Sequence, residues 1–558
     1  MEEKFDWLIL AEKFISSGDA QSLCGVAEEI FELEKNSAEG FSILAESALY
    51  LKNFDDAEKF AEKSLSAEKN NLRAKLVSGG VAAEKFLLKD ELKIFSEVID
   101  DAKKILETLT DEKKIFLTKK ILFRALCWSS NGFYLAGDPI SAAKNLLEAS
   151  GLADEKFLAA ELYSKHLFLK NYREISPTDS KIFAEKFNDF FDEIETFSHN
   201  KKISSHKKIK VGYISPDFRE HAAANFLMPF VKYFDEKNFS VTCYHLGKKD
   251  FVTEKFKKNK ISWRDLRGKN FQQAAKIIYK DNLDILVDFS GHSQNNSLPI
   301  LAFKPAPIQI SAIGYTATTG LKTVDYFFSD KNYDGFTEKI LPLENFLCYF
   351  PIHDMPDVEI IPPVMKNNFV TFGSFNNFSK VTDKILAAWK KILSEVENSR
   401  LVIKSKICSV EQGREILFER LQKINFPTEK IILSPYSKNY LDEYKKIDIA
   451  LDTFPYTGGA TTCEAIFMGV PVISLRGKTH GENFSASILN SANLPELVAE
   501  NFSDYIKKSV ELGRNKNLIS DYHKNLREKI LNSNLTDGRK YLREIEKIYF
   551  KICGRCSE

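Results

Sequence analysis

Residues 447–489 carry the stretch that decides the fold, IDIALDTFPYTGGATTCEAIFMGVPVISLRGKTHGENFSASIL. Residues 447–452 are the short apolar run typical of a buried parallel strand, and a turn with Gly458 and Gly459 then ends it. Residues 461–475 continue at helical spacing and then return to an apolar, β-branched run. The segment therefore predicts a strand, a glycine turn, a helix and a second strand, as in an open α/β sheet.

Two polar loops of this segment are suited to holding a phosphate group. The first helical turn after Gly459 offers free backbone N–H groups, and the glycines let an anion approach them closely. Residues 476–481 form a second loop at the end of the next strand. Because open α/β sheets bind ligands beside the carboxyl ends of adjacent strands, the two loops predict a nucleotide pocket.

The run from Leu451 to Leu489 resembles the catalytic half of the O-linked N-acetylglucosamine transferase family, inverting glycosyltransferases of the GT-B type with two Rossmann domains. Residues 372–380, FGSFNNFSK, are similar to another signature of that family, on the donor side. The chain departs from the family at residues 482–484, where a Ser-Arg-Val run is usual. A contact from that arginine is therefore not expected here.

The resemblance implies a UDP-sugar donor site around these loops. Lys438 matches the family lysine that meets the diphosphate and neutralises charge on the departing UDP, although a solvated surface lysine is the alternative. Glu464, one turn into the helix, is placed to accept ribose hydroxyls or simply to face the core. The implied donor-binding set is Asn376, Ser434, Tyr436, Lys438, Gly458, Gly459, Ala460, Thr461, Thr462, Glu464, Thr479 and His480.

Three further candidate catalytic side chains follow strands of the preceding half. The run SPDFREH at residues 215–221 resembles the family's first catalytic signature, and His221 matches a histidine beside the acceptor and sugar. A histidine that caps the following helix is the alternative. Asp288 and His292 leave the end of another predicted strand toward the same cleft. Each could take a proton from an acceptor hydroxyl, and His221 is our first choice.

Residues 1–195 are rich in Ala, Leu, Glu and Lys at helical spacing and predict an all-α region. Several positions match the helix-pair contacts of a tetratricopeptide repeat, namely Phe41, Leu44, Ala45, Phe54, Ala57, Ala61 and Leu65. A looser repeat follows at Ala142, Ala143, Leu146 and Leu147, and a plain helical bundle is the alternative. Such hairpins either brace an enzyme or form a peptide-binding surface.

The chain is too long for a single core, and three domains are predicted. They are tetratricopeptide-like and connector helices at 1–198, a Rossmann-like acceptor-side domain at 208–362, and a Rossmann-like UDP-sugar-binding domain at 367–558. Helices from about residue 504 are expected to return to the first Rossmann half. The predicted fold class is α/β, in the GT-B architecture of two Rossmann-like domains preceded by an all-α tetratricopeptide-like domain.

Composition argues against several kinds of partner and site. Lys and Arg total 79 against 78 for Asp and Glu, so the charge calls for neither nucleic acid nor an anionic membrane. Eight scattered cysteines form no disulfide framework, which favours a reducing cytoplasm, and we interpret Cys553 with Cys556 as an ordinary tail. The sequence shows neither a leader pattern nor an apolar run long enough for a membrane span.

The expected activity is transfer of N-acetylglucosamine from UDP-N-acetylglucosamine to Ser or Thr hydroxyls of a protein, with inversion. No Asp-x-Asp pair follows a predicted strand, so neither a metal nor another cofactor is expected. The alternatives are a UDP-glucose-dependent transferase acting on Asn and a non-catalytic helical-repeat binding protein. We expect the N-terminal helices to bind the acceptor, in a bacterial cytoplasm, with flagellin or another surface protein as the client.

Overall fold

The computed structural model describes residues 2–199 and 207–555. The chain forms two compact units, Met1–His166 with Lys406–Arg420, and Leu167–Ser405 with Leu421–Glu558. The three predicted domains stay a prediction, and the polar joint expected between the first two lies partly outside the described residues. No helix of the described part is both long and apolar enough to cross a bilayer.

The first unit is built from helices joined by short turns. They are α1 (Glu2–Ser17), α2 (Ala20–Leu33), α3 (Ala38–Tyr50), α4 (Phe54–Ala67), α5 (Leu72–Glu84), α6 (Leu88–Thr108), α7 (Glu112–Leu135), α8 (Pro139–Leu152) and α9 (Lys156–Lys170), within which the unit ends. Asp19, Asn53 and Asp138 each begin a helix by accepting the amide of the residue three positions on. Because the turns are short, consecutive helices pack as hairpins.

The first predicted helix pair is confirmed as α3 and α4. Ala45, Ala57 and Ala61 are buried in one cluster, with Phe54 and Leu65 packed against it. The small side chains let the two helices approach closely. The helical region is therefore a repeat of hairpins, as predicted.

The looser pair is α7 and α8, and one of its predicted contacts is wrong. Ala142, Ala143 and Leu146 are buried, whereas Leu147 is 44% exposed. One residue along a helix turns by about 100°, so Leu147 faces away from the side on which Leu146 is buried.

The second unit contains two all-parallel sheets. The strands of the first are β1 (Ile209–Ser215), β2 (Phe239–His245), β3 (Ser262–Asp265), β4 (Ile285–Asp288), β5 (Ile308–Ser311), β6 (Tyr326–Ser329) and β7 (Lys339–Pro342), in the order β3-β2-β1-β4-β5-β6-β7. The strands of the second are β8 (Val370–Ser374), β9 (Ser399–Lys404), β10 (Ile431–Ser434), β11 (Ile449–Leu451), β12 (Val472–Leu475) and β13 (Val498–Ala499), in the order β10-β9-β8-β11-β12-β13.

Helices connect these strands and complete the chain. They are α10 (Pro177–Glu185), α11 (Ala224–Lys232), α12 (Phe251–Lys257), α13 (Phe271–Lys280), α14 (Leu298–Leu301), α15 (Pro363–Asn367), α16 (Asp383–Glu395), α17 (Glu411–Lys423), α18 (Ala460–Phe467), α19 (Phe484–Ser491), α20 (Phe502–Arg514), α21 (Lys516–Leu531) and α22 (Gly538–Ile552). The prediction of an α/β chain with two Rossmann-like sheets behind a helical region is confirmed.

The last helix returns to the first sheet, as predicted. On α22, Glu546 accepts the Asp235 amide at 2.6 Å, and the Tyr541 ring packs edge-on against Phe230 of α11. The strand order reverses between β1 and β4 in one sheet and between β8 and β11 in the other. Ligands of open α/β sheets bind at such switch points, so the two sites to inspect are the carboxyl ends of these strand pairs.

Candidate active site

The glycine loop after β11 is held from below by Asp452. The carboxylate accepts the Gly458 amide at 2.8 Å, and Ser485 Oγ donates to the Gly458 carbonyl at 3.1 Å. A Cβ added at Gly458 would lie 2.4 Å from Thr462 Oγ1. Only glycine therefore fits this turn, and α18 begins immediately after Gly459, which caps it without a side chain.

Side chains of two neighbouring strand ends meet beside this loop. Asn376, in the loop after β8, donates to Asp452 at 3.2 Å and accepts from Thr461 Oγ1 at 3.1 Å. Thr462 Oγ1 lies 2.5 Å from Ser485 Oγ. A small cavity at the β8–β11 switch point is lined by Asn376, Asp452, Thr461 and Thr462 among others. The structure thus brings together the predicted Asn376, Gly458, Gly459, Ala460, Thr461 and Thr462.

Glu464 is buried on α18 and accepts a hydrogen bond from Tyr440 Oη at 2.6 Å. Burial raises the pKa of Glu464 to about 7, and the Tyr440 hydrogen bond opposes this. The carboxyl group is therefore poised between its neutral and ionised forms near neutral pH. Its predicted contact with ribose stays a prediction.

The lysine beside the glycine loop is Lys380, which the sequence analysis did not select. Its Nζ donates to the Thr457 carbonyl at 3.0 Å and lies 4.3 Å from the centre of the Tyr456 ring. Burial lowers the pKa of Lys380 to about 8, and the negative charge of Asp452 opposes the shift. The available signal was its place at the end of the FGSFNNFSK run.

Lys438, predicted for this place, is exposed in the loop after β10. Two other predicted donor residues share that loop: Ser434 ends β10, and Tyr436 is 64% exposed. None of the three lines the cavity beside Asn376, and neither does Lys380, but Lys380 Nζ donates to the Thr457 carbonyl of the glycine loop. The structure therefore places Lys380, and not Lys438, against the glycine loop.

The second predicted phosphate loop, after β12, faces a different cavity. Thr479 accepts the Glu482 amide at 3.3 Å through Oγ1 and lines a cleft. The cleft is also lined by Asn171, Arg173, Thr316, Asp334, Tyr456 and Gly481, among other residues. It therefore combines residues of both sheets with the segment that precedes α10.

His480, predicted to bind the donor, lines the same cleft as Thr479, and its contact with the nucleotide stays a prediction. The ring is buried, its Nδ1 lies 2.9 Å from Ser329 Oγ, and Phe346 and Phe484 pack edge-on against it. Burial lowers the pKa of His480 to about 4. The side chain joins the β12 loop to the end of β6, so it is part of the packing between the two sheets.

His221 stands exposed in the loop after β1. Its side chain is 43% exposed, and its Nδ1 lies 3.4 Å from Asp217 Oδ2. The Ala223 amide also donates to Nδ1, at 3.2 Å. A ring that accepts at Nδ1 carries its neutral-state proton on Nε2. Base action by Nε2 therefore requires the other tautomer, with the Nδ1 proton facing Asp217.

Asp288 and His292 do not fit the predicted catalytic role, because both are fully buried. Asp288 accepts the Gly291 amide at 2.7 Å and hydroxyl groups of its own loop, among them Ser297 Oγ at 2.5 Å. His292 Nε2 lies 2.8 Å from the Thr319 carbonyl, and burial lowers the pKa of the ring to about 4. These two side chains fix the loop after β4.

The CxxC pair is only half described. Cys553 is buried, and burial raises the pKa of its thiol to about 12, while Cys556 lies outside the described residues. Within residues 2–199 and 207–555, no three His, Cys, Asp or Glu side chains are grouped as metal ligands would be.

Known proteins are similar in sequence to more than half of this chain. The probable UDP-N-acetylglucosamine–peptide N-acetylglucosaminyltransferase SPINDLY of Eustoma exaltatum subsp. russellianum is 37% identical over 364 residues, 62% of this chain and 39% of that protein. The protein of the same description from Oryza sativa subsp. japonica is 33% identical over 438 residues, 75% of this chain and 45% of that protein. The chain thus matches less than half the length of these curated relatives.

The fold is also that of a solved structure. A mutant of the Thermobaculum terrenum O-GlcNAc transferase superposes with a TM-score of 0.75 at 23% identity, over 92% of this chain and 97% of that one. This likeness confirms the predicted GT-B architecture. The description of glycosyl transferase family 41 matches residues 167–346 and 364–545, more than half of the chain. The chain therefore belongs to glycosyl transferase family 41.

Proposed function

We propose that this protein transfers a sugar from a UDP-sugar to a protein hydroxyl with inversion. The donor is UDP-N-acetylglucosamine and the acceptor a Ser or Thr side chain, as the descriptions of the relatives suggest. The observation that carries the proposal is the half-buried Lys380 beside the glycine loop, at the switch point where Asn376, Thr461 and Thr462 meet.

The donor half supplies the groups that a departing UDP needs. The amides of the first turn of α18 and the hydroxyls of Thr461 and Thr462 bind the diphosphate. Lys380 neutralises the charge that develops on UDP as the bond from the anomeric carbon breaks. An ammonium and a helix N-terminus can do this work without a metal ion, so we propose a metal-independent reaction.

The acceptor approaches from the end of the first sheet. The acceptor oxygen attacks the anomeric carbon from the face opposite UDP and loses its proton. His221 is an exposed histidine in the loop after β1, and its Nε2 contacts the acceptor hydroxyl. Asp217, 3.4 Å from Nδ1, stabilises the tautomer in which Nε2 can receive the proton.

The hairpin repeats of the first unit select the polypeptide. Stacked helical hairpins present extended surfaces that bind peptides, which a small acceptor would not need. Flagellin or another surface protein, modified in a bacterial cytoplasm, is the client we propose. The candidate kept beside it is glucosylation of Asn from UDP-glucose, because the donor cavity binds the diphosphate in both cases.

A donor panel with EDTA present tests the proposal. Purified protein is incubated with UDP-N-acetylglucosamine, UDP-glucose and a GDP-sugar, and released nucleotide is measured. We expect UDP release that survives chelation. Intact-mass and fragment-ion mapping of glycosylated host proteins then assigns Ser, Thr or Asn. Turnover of the GDP-sugar alone, or a complete metal requirement, would contradict the proposed donor chemistry.

A further inference from the structure

Asp452 is a buried carboxylate that binds groups from several separate elements. Its Oδ1 accepts the amides of Thr453 and Gly458, both at 2.8 Å, and the Asn376 side chain at 3.2 Å. Its Oδ2 accepts from Ser474 Oγ on β12 at 2.7 Å. The residue thus connects the β8 loop, the glycine loop and a neighbouring strand.

These contacts suit an ionised carboxylate. An ionised Asp is acceptor-only, and all four partners donate to it. A negative charge beneath a diphosphate site would repel the ligand unless a cation stands between them. Lys380 is a cation next to the glycine loop: its Nζ donates to the carbonyl of Thr457, the residue before Gly458, and the charge of Asp452 raises its pKa against the effect of burial.

We propose that Asp452 is a positioning residue of the donor site, which holds the glycine loop and Asn376 in their binding arrangement and provides the buried counter-charge that keeps Lys380 protonated. The inference rests on the proposed function for the part played by Lys380 in turnover. It does not depend on which sugar or acceptor is used.

Other groups around the pair are accounted for by their contacts. Arg173 donates to the Ser379 carbonyl at 3.3 Å, beside Lys380, and its positive charge favours the neutral amine. The Tyr456 ring faces Nζ, and Tyr505 on α20 donates to the Asp452 carbonyl at 2.9 Å. Asp452 is therefore the anion that opposes the burial of Lys380.

The test is Asp452→Asn, which keeps the shape of the side chain and removes its charge. Labelling of Lys380 by an amine-reactive anhydride is followed against pH by peptide mass spectrometry, since only the neutral amine reacts. We expect the labelling midpoint, near pH 8 in the wild type, to fall by about one pH unit in the variant. The alkaline limb of UDP-sugar turnover should move with it.

Ser474→Ala is the matched control, because it removes one hydrogen bond to Asp452 and leaves the carboxylate. Its labelling midpoint should stay at the wild-type value, whereas a shift caused only by loosening of the glycine loop would appear in both variants. An unchanged midpoint in Asp452→Asn, in protein that melts cooperatively, overturns the inference. Labelling requires no turnover, so a wild type without transferase activity would sink the proposed function and leave this test intact.

Discussion

Each of the two sheets has a buried aspartate at its switch point, but the two aspartates have different kinds of hydrogen-bond partner. In each, a buried aspartate stands at the end of the strand beyond the reversal, Asp288 on β4 and Asp452 after β11. Asp288 binds its own loop and the adjacent Ser311 of β5, at 3.2 Å. Asp452 instead binds three separate elements and lines a small cavity. A buried carboxylate at the end of a strand holds the following loop in place in both sheets. Whether a ligand site lies beside it depends on whether its hydrogen-bond partners come from that loop and the next strand or from several separate elements.

The basic side chains near the two aspartates, His292 and Lys380, also differ in their charge at pH 7. His292, in the loop that Asp288 anchors, has its pKa lowered by burial to about 4 and is neutral at pH 7. Lys380, near Asp452, has a pKa lowered only to about 8 and keeps its charge. The basic side chain beside Asp288 is therefore neutral at pH 7, whereas the one near Asp452 is charged.

The largest expected effect is the loss of Lys380. Lys380→Ala should lower the rate of UDP-sugar turnover on the order of 10² to 10³, as when a single electrostatic donor is removed. Lys438→Ala is the matched control, because that lysine is exposed and its loss should change the rate less than about tenfold. Initial rates at saturating donor give the comparison.

A larger loss of rate in Lys438→Ala than in Lys380→Ala would support the sequence-based prediction that Lys438 contacts the diphosphate. It would mean that the loop after β10 closes over the diphosphate when the donor binds. Circular dichroism and melting curves of both variants check that the rates compare folded proteins.

A second prediction separates the two aspartates by stability. Asp288→Asn replaces an acceptor with an amide that cannot accept from both Gly291 and Ser297, so one buried donor loses its partner. We expect a loss of about 1–3 kcal/mol in the free energy of unfolding, with unchanged UDP affinity for the folded protein. Urea unfolding and calorimetric titration with UDP measure the two quantities. A loss of UDP affinity without a loss of stability would return Asp288 to the active site.

Much of the donor half could be predicted because its information is local. The turn at Gly458 and the helix after Gly459 are formed by consecutive residues. The positions of the Thr461 and Thr462 hydroxyls, in the first turn of that helix, follow from this local structure. The local order of strand, turn and helix therefore predicts where these loop residues lie without information from the rest of the chain.

The errors concern contacts between distant residues. The sequence did not show that His480 packs against Phe346 and contacts Ser329, both more than a hundred positions away. The sequence analysis selected Lys438 and not Lys380, because the contact of Lys380 with the Thr457 carbonyl of the glycine loop forms only in the folded chain. Asp288 and His292 were predicted to face the cleft. The sequence does not show that hydroxyl groups of the same loop bind Asp288 and that both side chains are buried.

The smallest expected effect concerns the pH dependence of stability at Glu464. Burial raises the pKa of this carboxyl to about 7, so the folded protein holds a proton that the unfolded chain releases at lower pH. Stability should therefore fall as pH rises from about 4.5 to 7. Glu464→Gln is neutral throughout and should lack this contribution, by on the order of 1 kcal/mol.

The difference between wild type and variant isolates this carboxyl. Other buried acids with raised pKa values, among them Glu91 and Glu546, occur in both proteins and cancel. Tyr440→Phe sharpens the result, because removing the hydrogen bond that favours the ionised form should raise the pKa of Glu464 and carry the fall in stability to higher pH. Urea unfolding of the three proteins between pH 5 and 8 measures it. Parallel pH profiles for wild type and Glu464→Gln would show that the pKa of Glu464 does not change on folding, which would contradict this prediction.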